Sequence, residues 1–160
     1  MSIRNQANKI AGICFLRDVR DIVPFLCGHY LRIGFDHLRF VDDGSSDGTF
    51  EFLSKLSLRT KGISVRQVGH DTDRQPEMMT DAANTLIEAG YQIIVPFVAD
   101  EFWNTTAEKI DRMCSTETDI AFIGRWQNFV QQRHISGPRP FGLLHIKHRA
   151  PIIADTIKKM

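Results

Sequence analysis

The sequence predicts an α/β fold built on a mainly parallel sheet. Three observations point to it. Apolar strand patterns alternate with helical patterns from residue 10 onward. The runs are short and nearly continuous, as in strands covered on both faces. Polar and acidic residues gather where those runs stop, most densely in Asp42-Asp43-Gly44-Ser45-Ser46-Asp47-Gly48. Four βα units in succession argue for a parallel sheet, and ligands of such sheets bind beyond the carboxyl ends of the strands.

The first strand is Ile10–Leu16. Ile22, Leu26, Tyr30 and Ile33 then recur at helical spacing, with Asp21 as the expected N-cap, Pro24 in the tolerant first turn and Gly34 as the stop. Residues 38–41 form the second strand. Thr49–Ser57 is a short helix with Phe50, Leu53 and Leu56 on one face. The alternation over 63–68 predicts a third, less buried strand. Residues 69–76 are a polar loop, after which Met79, Ala82, Ala83, Leu86 and Ile87 mark a helix ended by Gly90. The fourth strand, 93–98, is strongly apolar. Thr105-Thr106-Ala107-Glu108 has the spacing of a capping box and opens a helix running to about Met113. A fifth strand is expected at 120–124, a long loop at 126–140, a last strand at 143–146 and a terminal helix from Pro151.

At 160 residues the chain is sized for one domain, burying roughly 68–70% of its unfolded surface. A net charge of +1 gives no electrostatic reason to expect nucleic acid or an anionic membrane. Cys14, Cys27 and Cys114 lack ligand-like spacing and fall within predicted elements, which suits buried, reduced thiols. No apolar run approaches the roughly 18 residues of a spanning helix, and the polar start lacks the apolar core of a signal peptide. The expected compartment is the cytoplasm.

The strand ends carry the chemistry. A glycine turn with Ser46 or Asp47 capping the next helix explains part of the 42–48 segment, but not the two carboxylates that precede it. Val-Asp-Asp-Gly-Ser-Ser-Asp-Gly-Thr, from Val41 to Thr49, closely resembles the first signature of family 2 glycosyltransferases, the GT-A nucleotide-sugar enzymes. Gln75 followed by Ala82-Ala83-Asn84 resembles the family segment over the donor phosphates. The run from Ile93 to Phe102, ending Val98-Ala99-Asp100-Glu101-Phe102, is similar to the family's apolar strand followed by Asp-X-Asp-Glu-Phe, with Val98 in place of the first acid. Gly124 to Phe129 resembles the Trp-X-X-Phe stretch bordering the acceptor site. Where relatives carry Lys-Asn-Glu after the first strand, this chain reads Arg17-Asp18-Val19, and His29-Tyr30 is the family's Tyr-His pair reversed.

The resemblance implies a GT-A fold, a three-layer α/β/α sandwich occupying residues 1–160 as one domain without the usual C-terminal acceptor part. It implies transfer of a sugar, with inversion, from a nucleotide-diphosphate donor to a glycan or other hydroxyl acceptor. Asp42, Asp43, Asp100 and Gln75 would contact the nucleotide sugar. Asp100 and Glu101 would hold Mn²⁺ or Mg²⁺, hard cations that neutralise the leaving diphosphate. The family's catalytic base normally lies later than this chain reaches. The alternative is a catalytically degenerate GT-A-like domain that binds a nucleotide sugar, glycan or protein partner. A receiver-type or flavodoxin-like domain is a third reading, but its acidic cluster after the first strand is lacking. Asp71-Thr72-Asp73 follows the third strand and reads as a solvated loop; His29 reads as a packed residue.

Overall fold

The computed structural model describes residues 8–69 and 74–116, with two short strands at 129–130 and 148–149. The chain separates into two compact units, Met1–Ile120 and Ala121–Met160. The first carries β1 (Ile10–Leu16), α1 (Val23–Arg32), β2 (His37–Asp42), α2 (Thr49–Ser57), β3 (Ile63–Gln67), α3 (Gln75–Glu88), β4 (Ile93–Pro96) and α4 (Ala107–Thr116). The second carries β5 (Phe129–Val130) and β6 (His148–Arg149), paired antiparallel. Among the described residues no helix is long and apolar enough to cross a membrane.

The strand order is β3-β2-β1-β4, and every neighbouring pair is parallel. The chain steps outward from β1 to β3, then returns to the other side of β1 for β4. This reversal makes a switch point between β1 and β4, and the helices that follow the two strands, α1 and α4, lie on the same face of the sheet. Alternate strand residues feed two cores. Ile10, Cys14, Leu16, Leu38, Phe40, Ile63, Val95 and Phe97 meet Val23, Leu26 and Tyr30 of α1, Leu53 of α2 and Ile110 of α4. On the opposite face Ala11, Ile13 and Val41 meet Ala82 and Leu86 of α3. The architecture is therefore a three-layer α/β/α sandwich.

One close approach organises the larger core. A Cβ built on Gly12 would lie 2.6 Å from Phe97 Cε1 and 3.1 Å from both Leu38 Cδ2 and Phe35 Cδ1. The missing side chain lets Phe97 lie over β1, where its ring stacks on Tyr30 at 4.1 Å between centroids. Tyr30 also meets Phe35 edge-on at 5.2 Å. Such pairs contribute about 1 kcal/mol beyond the area they bury. Gly34 serves a turn instead. It sits at φ +105°, beyond the end of α1, and its absent Cβ would stand 3.0 Å from Ala107 Cβ. The Ala107 N–H donates to Ile33 O at 2.7 Å, pinning the start of α4 to the end of α1.

Several local expectations need correction. Asp21 does not cap α1; the N–H groups of Ile22 and Val23 donate to Val19 O at 3.0 and 2.9 Å, so a backbone turn starts the helix. At α4 the acceptor is Thr106, not Thr105: its Oγ1 receives the Lys109 N–H at 3.3 Å, and Glu108 pairs instead with Arg112 at 2.8 Å. Ile87 is 57% exposed, so the buried stripe of α3 is narrower than its apolar content. The fourth strand stops at Pro96, two residues early, and Phe129–Val130 is a strand inside the expected loop. The anticipated elements at 120–124 and 143–146 and from Pro151 lie outside the described residues, as do Trp126 and Asp71-Thr72-Asp73.

Two glycines make opposed predictions. Gly12→Ala forces a methyl group into Phe97 and should destabilise the protein by about 1–3 kcal/mol, the usual cost of overpacking. Gly28 lies inside α1 with nothing within 4 Å of its would-be Cβ, so Gly28→Ala should stabilise by about 0.5–1 kcal/mol. Urea unfolding of both variants tests the pair; a Gly12→Ala midpoint equal to wild type contradicts the packing account.

Candidate functional site

All four parallel strands end at one edge, and the two loops nearest its centre are laced together. The β1–α1 loop presents backbone donors and the β2–α2 turn supplies the oxygens. Asp18 N donates to Ser45 Oγ at 2.9 Å, Val19 N to Thr49 Oγ1 at 3.0 Å and Arg20 N to Asp47 Oδ2 at 2.9 Å. In return, Asp18 Oδ1 accepts from Ser46 N at 2.7 Å and Ser46 Oγ at 3.3 Å. Asp47 Oδ1 accepts from Thr49 N at 2.9 Å and Thr49 Oγ1 at 2.6 Å, ordering the start of α2. Three residues here have left-handed backbones: Asp18 at φ 50°, Gly44 at 68° and Gly48 at 89°. Glycine adopts that region without penalty, and Asp tolerates it better than most residues. Most of the 44–49 segment is thus accounted for by architecture: Asp47, not Ser46, orders the next helix.

Asp42 and Asp43 are different. Both side chains are buried, at 0% and 1% exposure, where the sequence left open which of the two points into the cleft. Asp42 Oδ1 accepts from Ser45 N at 3.0 Å and Gln67 Nε2 at 3.2 Å. Its Oδ2 is out of contact with solvent and has no hydrogen-bond partner among the described residues. An unsatisfied buried acceptor costs about 1–3 kcal/mol, and more when charged. Asp43 donates its backbone N–H to Leu16 O at 2.9 Å, extending the β1–β2 ladder one residue past the strand end.

Across β1, the segment after β4 carries Asp100 exposed at the same sheet edge. That segment is tied down by α1. The Tyr30 hydroxyl donates to Glu101 O at 3.0 Å, and His29 Nε2 lies 3.0 Å from Trp103 O, so Nε2 carries the proton. His29 is a packed residue, edge-on to Phe102 at 5.3 Å. Glu101 is half-buried, and its Oε2 accepts from Trp103 Nε1 at 3.4 Å. Val98 is 46% exposed and Phe102 39%, so Asp100 is flanked by apolar surface. Gln75 is exposed on the first turn of α3, the end of that helix nearest the carboxyl edge.

The fold thus brings Asp42, Asp43, Asp100, Glu101 and Gln75 to one edge, with Asp42 and Asp43 inside it and Asp100 and Gln75 on its surface. Among the described residues no three His, Cys, Asp or Glu side chains gather to hold a cation. Two participants were not singled out in the sequence. Gln67 could have been found from register, since parallel pairing places it beside Asp42. Asp18 could have been found as an acid at a sharp turn after a strand. The thiol of Cys14 is pushed up by burial first, then by Cys27, Asp100 and Glu101, so it stays protonated beneath this edge. No protein-family model matches the chain, and no curated protein matches it significantly.

The lacing gives a pH prediction. Burial alone would raise the Asp47 carboxyl, but hydrogen bonds from Thr49 and from the Arg20 N–H outweigh it and hold it below the ordinary aspartate range. A depressed carboxyl stabilises the fold above its unfolded value of about 3.9, and that contribution disappears as pH falls through the folded value. Wild type should therefore lose stability below about pH 4 with a slope that Asp47→Asn reduces. Thermal melts between pH 2 and 7 on both proteins check this; identical acid slopes count against it.

Proposed function

We propose that this chain is a GT-A-type domain, similar to family 2 glycosyltransferases, that binds a nucleotide-diphosphate sugar at the carboxyl edge of its sheet and transfers the sugar to a hydroxyl acceptor. The observation that carries the reading is Asp42 Oδ2, a buried carboxylate oxygen without a partner at the end of β2. The opposite oxygen is fully used by Ser45 and Gln67, which fixes the carboxylate's orientation. A ligand that brings an N–H or O–H donor, as a nucleobase or ribose does, removes the cost of leaving Oδ2 unpaired. The switch point between β1 and β4 and the ordered sequence signatures support the same reading.

In this proposal Asp42 and Asp43 anchor the nucleoside, Gln75 faces the donor, and Asp100 with Glu101 lies beside the diphosphate. The protein acts mainly by holding donor and acceptor in register and by offsetting charge on the departing diphosphate. The described residues do not by themselves form a cation site, so Mn²⁺ or Mg²⁺ would depend on phosphate oxygens for most of its ligands.

The second reading is a nucleotide-sugar, glycan or protein-binding domain without transfer activity. One observation favours it: Val98, exposed two residues beyond the end of β4, presents an isopropyl group where the family signature carries the first acid.

Calorimetric titration with UDP and GDP, each with and without Mn²⁺, is the test. One nucleotide should bind, and Asp42→Asn should weaken it about tenfold, the loss of one charge-assisted hydrogen bond. Asp100→Asn should abolish the Mn²⁺-dependent part, Val98→Asp should strengthen it, and Asp71→Asn with Asp73→Asn should leave it unchanged. Binding without donor hydrolysis selects the second reading. A chain that binds neither nucleotide under any of these conditions sinks the transferase reading and leaves, of the second, only a glycan- or protein-binding domain.

A further inference from the structure

The two sheet faces are unequally covered near β3. In-register partners of a parallel pair point to the same side, and the register is Arg39↔Ser64 and Val41↔Arg66. Val41 belongs to the core beneath α3, so Arg39, Ser64 and Arg66 share that face. His37, two residues before Arg39, is tilted against Tyr91 with ring centroids 5.6 Å apart, and its Nε2 lies 2.7 Å from Ser64 Oγ. Beyond the cover of α3 the face is polar: His37, Arg39 and Ser64 are half-buried and Arg66 is exposed.

Among the described residues no carboxylate forms an ion pair with the arginines of this face. Arg39 Nη1 donates to Ser64 Oγ at 3.3 Å, a neutral acceptor. Arg39 Nε has neither solvent contact nor a hydrogen-bond partner among the described residues. Ion pairs among the described residues include Arg17 with Asp18, Arg74 with Glu77 and Arg112 with Glu108, and neither Arg39 nor Arg66 takes part in one of these. Burial holds the Arg39 guanidinium below its ordinary range, and Arg66 adds to the effect by repulsion, so the two cations are close enough to feel each other. Burial and Arg39 likewise depress His37, which stays neutral near pH 7. The excess is therefore two charges at one spot.

We propose that this face of β2 and β3 is a binding site for a phosphate-type dianion, inorganic phosphate or the phosphate of a soluble monoester, held between the guanidinium groups of Arg39 and Arg66. Strands stand about 4.8 Å apart and advance about 3.3 Å per residue, so the two Cα atoms are separated by about 8 Å on the diagonal. Side chains of arginine length converge over that span on one tetrahedral anion. The planar guanidinium matches two oxygens of a phosphate at once, which a lysine cannot do. A confined pair of charges suits one dianion better than an acidic peptide, whose carboxylates are strung along several strand residues. This inference is independent of the donor site proposed above.

The test is a titration of the full ¹⁵N-labelled chain with inorganic phosphate at fixed ionic strength. Saturable shifts are expected at the Arg39 Nε–H and at the amides of Arg39, Ser64 and Arg66. Arg66→Gln, an exposed position whose thermal midpoint should stay at the wild-type value, should weaken binding about tenfold or more. Arg66→Lys, which keeps the charge but loses the fork, should fall between. The proposal is overturned if no saturable shift appears, if Arg66→Gln binds as tightly as wild type, or if the shifts are confined to the turn at 44–48. A response to poly-glutamate that exceeds the response to phosphate also overturns it, in favour of an acidic peptide.

Discussion

The empty space at Gly12 is the constraint on which the arrangement of the first unit rests. β1 is the central strand, paired with β2 on one side and β4 on the other. Any side chain at position 12 would occupy the volume that Phe97 fills. With Phe97 seated, Tyr30 stacks on it, and the Tyr30 hydroxyl reaches beyond the core to the Glu101 carbonyl. A glycine in the middle of a strand weakens it by roughly 0.5–1 kcal/mol relative to alanine. Here that loss is offset by an aromatic cluster that also fixes the backbone around Asp100. Packing and site geometry are the same contacts seen from two ends.

The lacing of the β1–α1 loop to the β2–α2 turn has a comparable double role. Backbone N–H groups at 18–20 have no strand partner, and a loop that left them unpaired would be driven out into water. Ser45, Asp47 and Thr49 satisfy them, which ties the loop to the turn that follows the buried Asp42 and Asp43. The Asp42 carboxylate then retains one oxygen without a protein partner, in a position the rest of the turn holds rigid.

Much of this fold was legible in the residues. Thr49–Ser57 matches its helix because a phase of apolar residues is bracketed by a left-handed glycine and a polar stop. β1 is equally plain, being apolar throughout and set between polar flanks. Errors gathered at helix starts. Several residues there can offer an oxygen, and tertiary position decides which one does; Val19 O displaced Asp21, and Thr106 displaced Thr105. The candidate site was legible in outline, since acids after apolar strands must reach the carboxyl edge of a parallel sheet. Depth was not legible. Period-two alternation puts Asp42 and Asp43 on opposite faces and could not say which enters the cleft, yet both are buried. Gln67 escaped notice because its importance lies in a partner 25 positions away.

The strand order also fixes the sequence in which the protein can be assembled. β1, β2 and β3 follow one another through connections of ordinary βα length, so their pairings lie within residues 10–67. β4 arrives last, and its entry is set by a contact between Lys9 N and Gln92 Oε1 spanning 83 positions. Closing so long a loop is slow compared with the local pairings. During synthesis one side of β1 therefore stands open, with Gly12 at its middle and no Phe97 to fill it, until the ribosome has released about thirty residues beyond β3. The nearly all-apolar β1 is exposed on one side in that interval, which makes early folding a stage open to association with other chains.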